Sequence, residues 1–315
     1  DGLRQGEVKL YAMEGHLKEV SNYKDDSLHG PNIYYNANGL KRAEANHEMG
    51  TLKGEVRRYY ASGQLRQIIP YSDNDANGMA TYYYRNGDKS NEVEFKDDEY
   101  HGTFKSFYNN GQLKQELVFE EGDRNGPYKT FYENGQVEAE GTYKNDKDVG
   151  VYKSYYDNGQ IFTEINYDQE GNATGDVKEF SKEGELTEQF TYVDGKLEGL
   201  LTAWDDDGVK HYEYTYKKGF LRYYKYFNKK GEVVAEGKGS KGKMNYVYYT
   251  PNGIKRTQGL LKKGERHAVW TFYHASGAVD ETTTYNMGTF EGENKTYFRN
   301  GKLRSEYAYE GGDVD

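Results

Sequence analysis

The sequence predicts an all-β protein, an elongated array of about thirteen stacked antiparallel β-hairpins that form a single twisted sheet or an open β-solenoid. Three observations predict it. A turn block ending in Asn-Gly or a close equivalent returns about every 24 residues. An aromatic residue stands four positions before the glycine of every block. Period-2 alternation of apolar and polar residues fills the stretches between. A fixed period of 20–50 residues is the mark of a stacked repeat array, and the alternation makes its unit a strand pair.

The clearest copy runs from Gly102 to Gly126 around Phe107-Tyr108-Asn109-Asn110-Gly111-Gln112-Leu113. The block returns as Phe131 to Val137, Tyr155 to Ile161 and Tyr297 to Leu303. Asn-Gly between alternating segments is a strong hairpin signal, because glycine accepts the left-handed backbone that a tight reversal needs. In the copy Thr250-Pro251-Asn252-Gly253, proline suits the second position of a type I turn and glycine the bulge after it. The expected turn is therefore a three-residue loop such as Asn109-Asn110-Gly111.

Thirteen turn glycines follow: Gly15, Gly39, Gly63, Gly87, Gly111, Gly135, Gly159, Gly184, Gly208, Gly231, Gly253, Gly277 and Gly301. With such a turn, Tyr108 pairs with Gln112 and Phe107 faces Leu113. Alternation then carries Leu113, Gln115, Leu117 and Phe119 along one aromatic and aliphatic face. The other face receives Lys114 and Glu116, with glutamate recurring five after the glycine at Glu44, Glu92, Glu140, Glu164, Glu213, Glu236 and Glu306. Basic neighbours such as Arg42, Lys114 and Arg304 are expected to interleave with these glutamates. One column stays out of phase. Seven before the glycine, Val8, Val56, Phe104, Tyr128, Tyr152, Val177 and Leu201 are apolar, and only a bulge or a strong local twist would bring them inward.

Polar, glycine-punctuated segments such as Glu120 to Gly126 and Val193 to Gly199 are the return turns. Residues 217–242 lack a linking glycine and the spacing contracts there, so the sheet is expected to kink. The whole of 1–315 reads as one continuous repeat domain. Asp1 to Gly6 matches the return turn Asp194 to Gly199, and Asp313-Val314-Asp315 falls inside the equivalent turn. Both boundaries are expected to cut mid-repeat, as in a piece of a longer protein.

Composition narrows the function classes. The net charge of −10 argues against nucleic acid and against direct binding to anionic membranes, since both require a basic footprint. Aliphatic residues are sparse, but 34 tyrosines supply burial in their place. A mean hydropathy of −1.09 suits a thin, well-wetted sheet. Cysteine is absent, which removes disulfides and thiolate metal sites. No apolar run has the length of a membrane span or signal peptide, and the chain begins at Asp1. The compartment stays open, with a lean to an extracytoplasmic or cell-surface setting.

Copies of the form G-x-x-x-x-Y-Y-x-N-G-x-L-x-x-E-x-x-Y-x-x-G-x-x-x-G resemble the bacterial variant of the MORN repeat. The resemblance covers nearly the whole chain, is strongest at 102–159 and weakens at Tyr223–Gly242. It implies stacked hairpins and a scaffold or binding role. Some relatives are labelled as the antitoxin of a toxin–antitoxin pair, and MORN repeats are associated with membranes and protein assembly.

No enzyme motif is visible, and no cofactor or metal is expected. The histidines His16, His29, His47, His101, His211, His267 and His274 form no ligand spacing. His47 stands in the second aromatic column, eight after the glycine, and reads as a packing substitute. Asp205-Asp206-Asp207 has carboxylates enough for calcium but fills a hairpin turn, and a solvated turn is the simpler reading. The candidate contact residues are Tyr60, Tyr84, Tyr108, Tyr132 and Tyr156, three before the glycine in five consecutive repeats, read as a row facing away from the main aromatic column. Such a row suits a protein partner, for which tyrosine is a favoured residue, or stacking on a glycan, or simple packing. The function expected is a non-enzymatic scaffold binding a partner protein through an extended β surface. A glycan-binding module and an antitoxin-type neutralising partner are the alternatives.

Overall fold

The computed structural model describes residues 2–314, and there every regular element is a β-strand paired antiparallel with its neighbours. All thirteen expected turns are present. The amide of each turn glycine donates to the carbonyl three residues earlier, as Gly111 N does to Tyr108 O at 2.9 Å. Their φ angles lie between 71° and 95°, which is why glycine holds the position. The Tyr108 amide donates to Gln112 O at 2.8 Å, and Phe107 pairs with Leu113 as expected.

The face assignment is corrected beyond that pair. After Phe107↔Leu113 the next pairs are Ser106↔Gln115, Lys105↔Glu116 and Phe104↔Leu117, so Lys114 is an extra, bulged residue. The same shift recurs beside the other turns, for example between Tyr82 and Tyr83 and between Arg58 and Tyr59. One inserted residue moves every later side chain of that strand to the opposite face. Leu117 and Phe119 therefore do not share a face with Leu113. The column seven before the glycine, out of phase in the sequence, is the core. Val56 pairs with Ile69, Ala80 with Val93 and Val177 with Phe190, and all six are buried. The first aromatic column lies on the other face beside the glutamates: the Tyr59 and Tyr155 hydroxyls donate to Glu44 and Glu140, each at 2.9 Å.

Return turns are two-residue turns with both φ positive, such as Asp25 (49°) and Asp26 (64°), the geometry that matches strand twist. The 25-residue step from Gly159 to Gly184 arises where Tyr167 pairs with Ala173, one residue farther than Tyr23 with Leu28.

The chain packs as two compact units, residues up to 159 with 169–171, and residues 160–168 with 172 onward. In the first, hairpins from Gly6–Tyr11 to Gly150–Tyr155 follow one another, each paired with the next. The second contains a break. Val233–Lys238 and Lys243–Tyr249 share no ladder, only the bridge between Ser240 and Lys243. This lies at the end of the region expected to kink. Tyr224 explains it: its hydroxyl donates to Asn245 O at 3.2 Å and accepts from Val247 N at 3.1 Å. The phenol takes hydrogen bonds that a neighbouring strand would otherwise supply to Lys243–Tyr249.

Candidate partner-binding surface

The five row tyrosines stand at the hairpin-turn edge, one residue past the strand end, and are half-buried. Four hydroxyls reach the next repeat. Tyr60, Tyr84, Tyr108 and Tyr132 donate to the carbonyls of Tyr83, Phe107, Phe131 and Tyr155, each at 2.7 Å. Tyr156 holds the same turn position, its carbonyl accepting from Gly159 N at 2.9 Å. Ring faces are partly occupied as well. The Arg66 and Arg85 guanidiniums lie 6.0 and 5.7 Å from the Tyr60 ring centre, and the Lys114 ammonium lies 5.7 Å from that of Tyr108. The bulged basic residue thus sits over its own hairpin's tyrosine. The glutamates find other cations: Lys105 with Glu116 at 3.2 Å, Lys129 with Glu140 at 2.9 Å and Lys295 with Glu306 at 3.1 Å. Lys129 and Tyr155 together hold the Glu140 carboxyl below its usual range.

Asp205-Asp206-Asp207 builds its turn. Asp205 Oδ1 accepts from the amides of Asp207 (3.1 Å) and Val209 (2.9 Å), while Asp207 pairs with Lys229 at 2.6 Å. His47 lines up with Gly30 in the second aromatic column, and burial lowers its pKa.

The second unit holds a feature absent from the sequence expectations. An open groove of about 790 Å³ is lined by Tyr214, Tyr216, Tyr246, Tyr248, Trp270, Tyr285 and Phe290, with Arg266 at its wall. Three phenols bond one another there, Tyr214 and Tyr246 in the lining and Tyr226 buried. Tyr214 bonds Tyr226, and Tyr246 bonds both, at 3.1 and 2.8 Å respectively. Burial and the neighbouring phenols push Tyr214 and Tyr226 far above the usual tyrosine range. Arg266 Nη1 donates to the Tyr285 hydroxyl at 3.1 Å, and its guanidinium lies 4.9 Å from the Trp270 ring centre. Trp270 has room because its neighbour is Gly259, where a Cβ would lie 2.3 Å from the indole. Tyr224 is seated against Gly237 in the same way, also at 2.3 Å. A bulky aromatic faces a glycine across the core column in three hairpins: Tyr128, Tyr224 and Tyr246 pair with Gly141, Gly237 and Gly259, a match that appears only once the bulge sets the register.

Beside this groove the charge reverses. From Lys217 to Arg266 there are fourteen Lys and Arg and three Asp and Glu, in a chain of net charge −10. Whole-chain charge conceals the reversal; a local count finds it.

The profile of the MORN repeat variant matches residues 52–73, 100–121, 124–145, 148–169 and 290–310. No protein of curated function matches the chain. Among solved structures, one titled TcdB2-TccC3-TEV aligns at 12% identity over 98% of this chain and 19% of that one, with a TM-score of 0.15. A Photorhabdus luminescens Tc holotoxin pore aligns at 12% identity over 98% of this chain and 19% of that one, with a TM-score of 0.16. The chain thus spans about a fifth of those chains, and likeness at that level carries no argument.

Proposed function

We propose that this chain, which matches the MORN repeat variant in five stretches, is a non-enzymatic scaffold that binds a partner protein through its β surface. The open aromatic groove of the second unit carries the reading. Tyrosine, tryptophan and arginine dominate the energetics of protein contacts, since each combines large apolar area with a polar handle. Here Tyr216, Tyr246, Tyr248 and Arg266 line one groove, over the buried Trp270. A binding surface also needs preorganisation. The hydrogen bonds of Tyr214, Tyr226 and Tyr246 supply it. The tyrosine row contributes ring edges to the same kind of contact, with the hydroxyls of Tyr60, Tyr84, Tyr108 and Tyr132 engaged on the backbone.

The test is capture on the immobilised chain from extract of its source. A protein retained by the wild type and lost with Tyr216→Ala plus Phe290→Ala, at matched melting temperature, supports the groove. Tyr108→Ala plus Tyr132→Ala reports on the row. Retention that neither pair changes overturns the reading.

A further inference from the structure

The basic stretch gathers at one edge. Three consecutive return turns of the second unit read Lys217-Lys218-Gly219, Lys241-Gly242-Lys243 and Lys262-Lys263-Gly264. Lys218, Lys241 and Lys263 each occupy the first turn position with φ of 52–53°. Two-residue turns aim this position's side chain away from the strands. Lys217, Lys218, Arg222, Lys241, Lys243 and Lys263 are exposed, and among the described residues none of them makes an ion pair. Adjacent to them lies a cavity of about 400 Å³ with Phe220, Leu221, Met244 and Leu261 in its lining and Arg222, Lys243 and Lys263 among its basic residues. Phe220 is 45% exposed at its mouth.

Resting on the scaffold reading, we propose that this edge receives an acidic segment of the partner protein, anchored by one large apolar side chain in the cavity. Unpaired lysines in an otherwise acidic chain are complementary to carboxylates and steer them in. The cavity wall is mainly aliphatic, with Phe220 its one ring, so it suits a Leu, Met or Phe side chain. Successive nucleobases need a series of stacking platforms. Fixed phosphate recognition favours the guanidinium fork, whereas all nine residues of the three turns are lysines or glycines.

The test uses fluorescein-labelled peptides of alternating glutamate and glycine, with either Phe or Gly at the centre, and fluorescence anisotropy on the full chain. The Phe-centred peptide is expected to bind about tenfold more tightly than the Gly-centred one, the factor one well-buried side chain supplies. Binding weakens with salt. Lys217→Glu, Lys241→Glu and Lys263→Glu combined remove it without moving the melting temperature, because these side chains are exposed. Met244→Leu retains it. Equal binding of the two peptides, or no binding of either, overturns the proposal. So does tighter binding of an oligothymidylate, which assigns the edge to nucleic acid. Self-association of the chain abolished by the same three substitutions also overturns it, in favour of a second copy. These probes need no natural partner, so their failure leaves the scaffold reading to its own capture experiment.

Discussion

In the first unit, Asp26, Asn74, Asp98 and Asp146 each occupy the second position of a return turn and clasp the preceding repeat twice. The backbone amide donates to the carbonyl of Arg4, Leu52, Ala76 or Arg124, and the side-chain oxygen accepts from that residue's amide at 2.7–3.1 Å. Gly50 and Gly122 in the first unit, and Gly195 and Gly219 in the second, stand there and keep only the backbone half, at 2.7–3.0 Å. The contrast extends across the repeat. The first unit adds tyrosine hydroxyl latches at the opposite edge over a core of small residues such as Ala80 and Val93. The second fills its middle with Tyr224, Tyr226 and Trp270, all at most 2% exposed. One hairpin plan therefore coheres by two routes: polar clasps along the margins, or aromatic bulk at the centre.

The most severe way to break this comparison is at the centre of the second unit. Gly259→Ala and Gly237→Ala place a Cβ 2.3 Å from the Trp270 and Tyr224 rings, and each should cost about 3 kcal/mol by denaturant unfolding. Gly141→Ala, with its nearest Tyr128 ring atom at 2.9 Å, should cost less. In the first unit the core itself contains a polar residue: Asn32 is 0% exposed and both side-chain polar atoms lack a protein partner. Asn32→Val, which installs the valine of neighbouring repeats, should stabilise by about 1–2 kcal/mol, seen as a raised melting temperature. A loss there would show that the amide is needed.

Smaller effects sharpen the edge side of the contrast. Tyr132→Phe removes one latch and Asp98→Ala one clasp, each at about 1 kcal/mol. Hydrogen exchange should localise the loss to the adjoining repeat. If the effects spread evenly over both units, edge stitching is not local. The smallest effect is a pH dependence in the first unit. Burial depresses the His47 pKa from 6.5, so the unfolded chain binds protons more readily. The stability this contributes is whole above pH 6.5 and declines as pH falls through the folded value. The Asp26 and Asp146 carboxyls are held below 3.8, Asp26 chiefly by the Arg4 amide and Asp146 chiefly by the Arg124 side chain, so their share is lost only as pH falls below that. His47→Phe should flatten the first decline and leave the second, in melting curves taken across acid pH.

Much of the architecture was legible because turn chemistry is local. Asn109-Asn110-Gly111 contains its own reason to reverse, as does Thr250-Pro251-Asn252-Gly253, and the turn block recurs twelve times after Gly15, nine of them at a 24-residue step. Asp205 and Asp207 likewise disclosed a turn. The partner surface was less legible. The tyrosine row was identifiable by position, but its acceptors lie 23 residues farther along the chain and belong to another hairpin's backbone. The groove joins residues from Tyr214 to Phe290, which no short window brings together.

The sequence by itself determined the hairpin, its period, its turns and the place where regularity fails, since each depends on the φ preferences and hydrogen bonds of neighbouring residues. Tertiary structure alone decided which side of each strand is inside. That choice turns on one bulged residue, such as Lys114, and on what the facing strand sets opposite it. Val56, Ala80 and Val177 become core because a partner strand offers Ile69, Val93 and Phe190 at their level. Alternation within a single strand cannot record an insertion measured only against its neighbour.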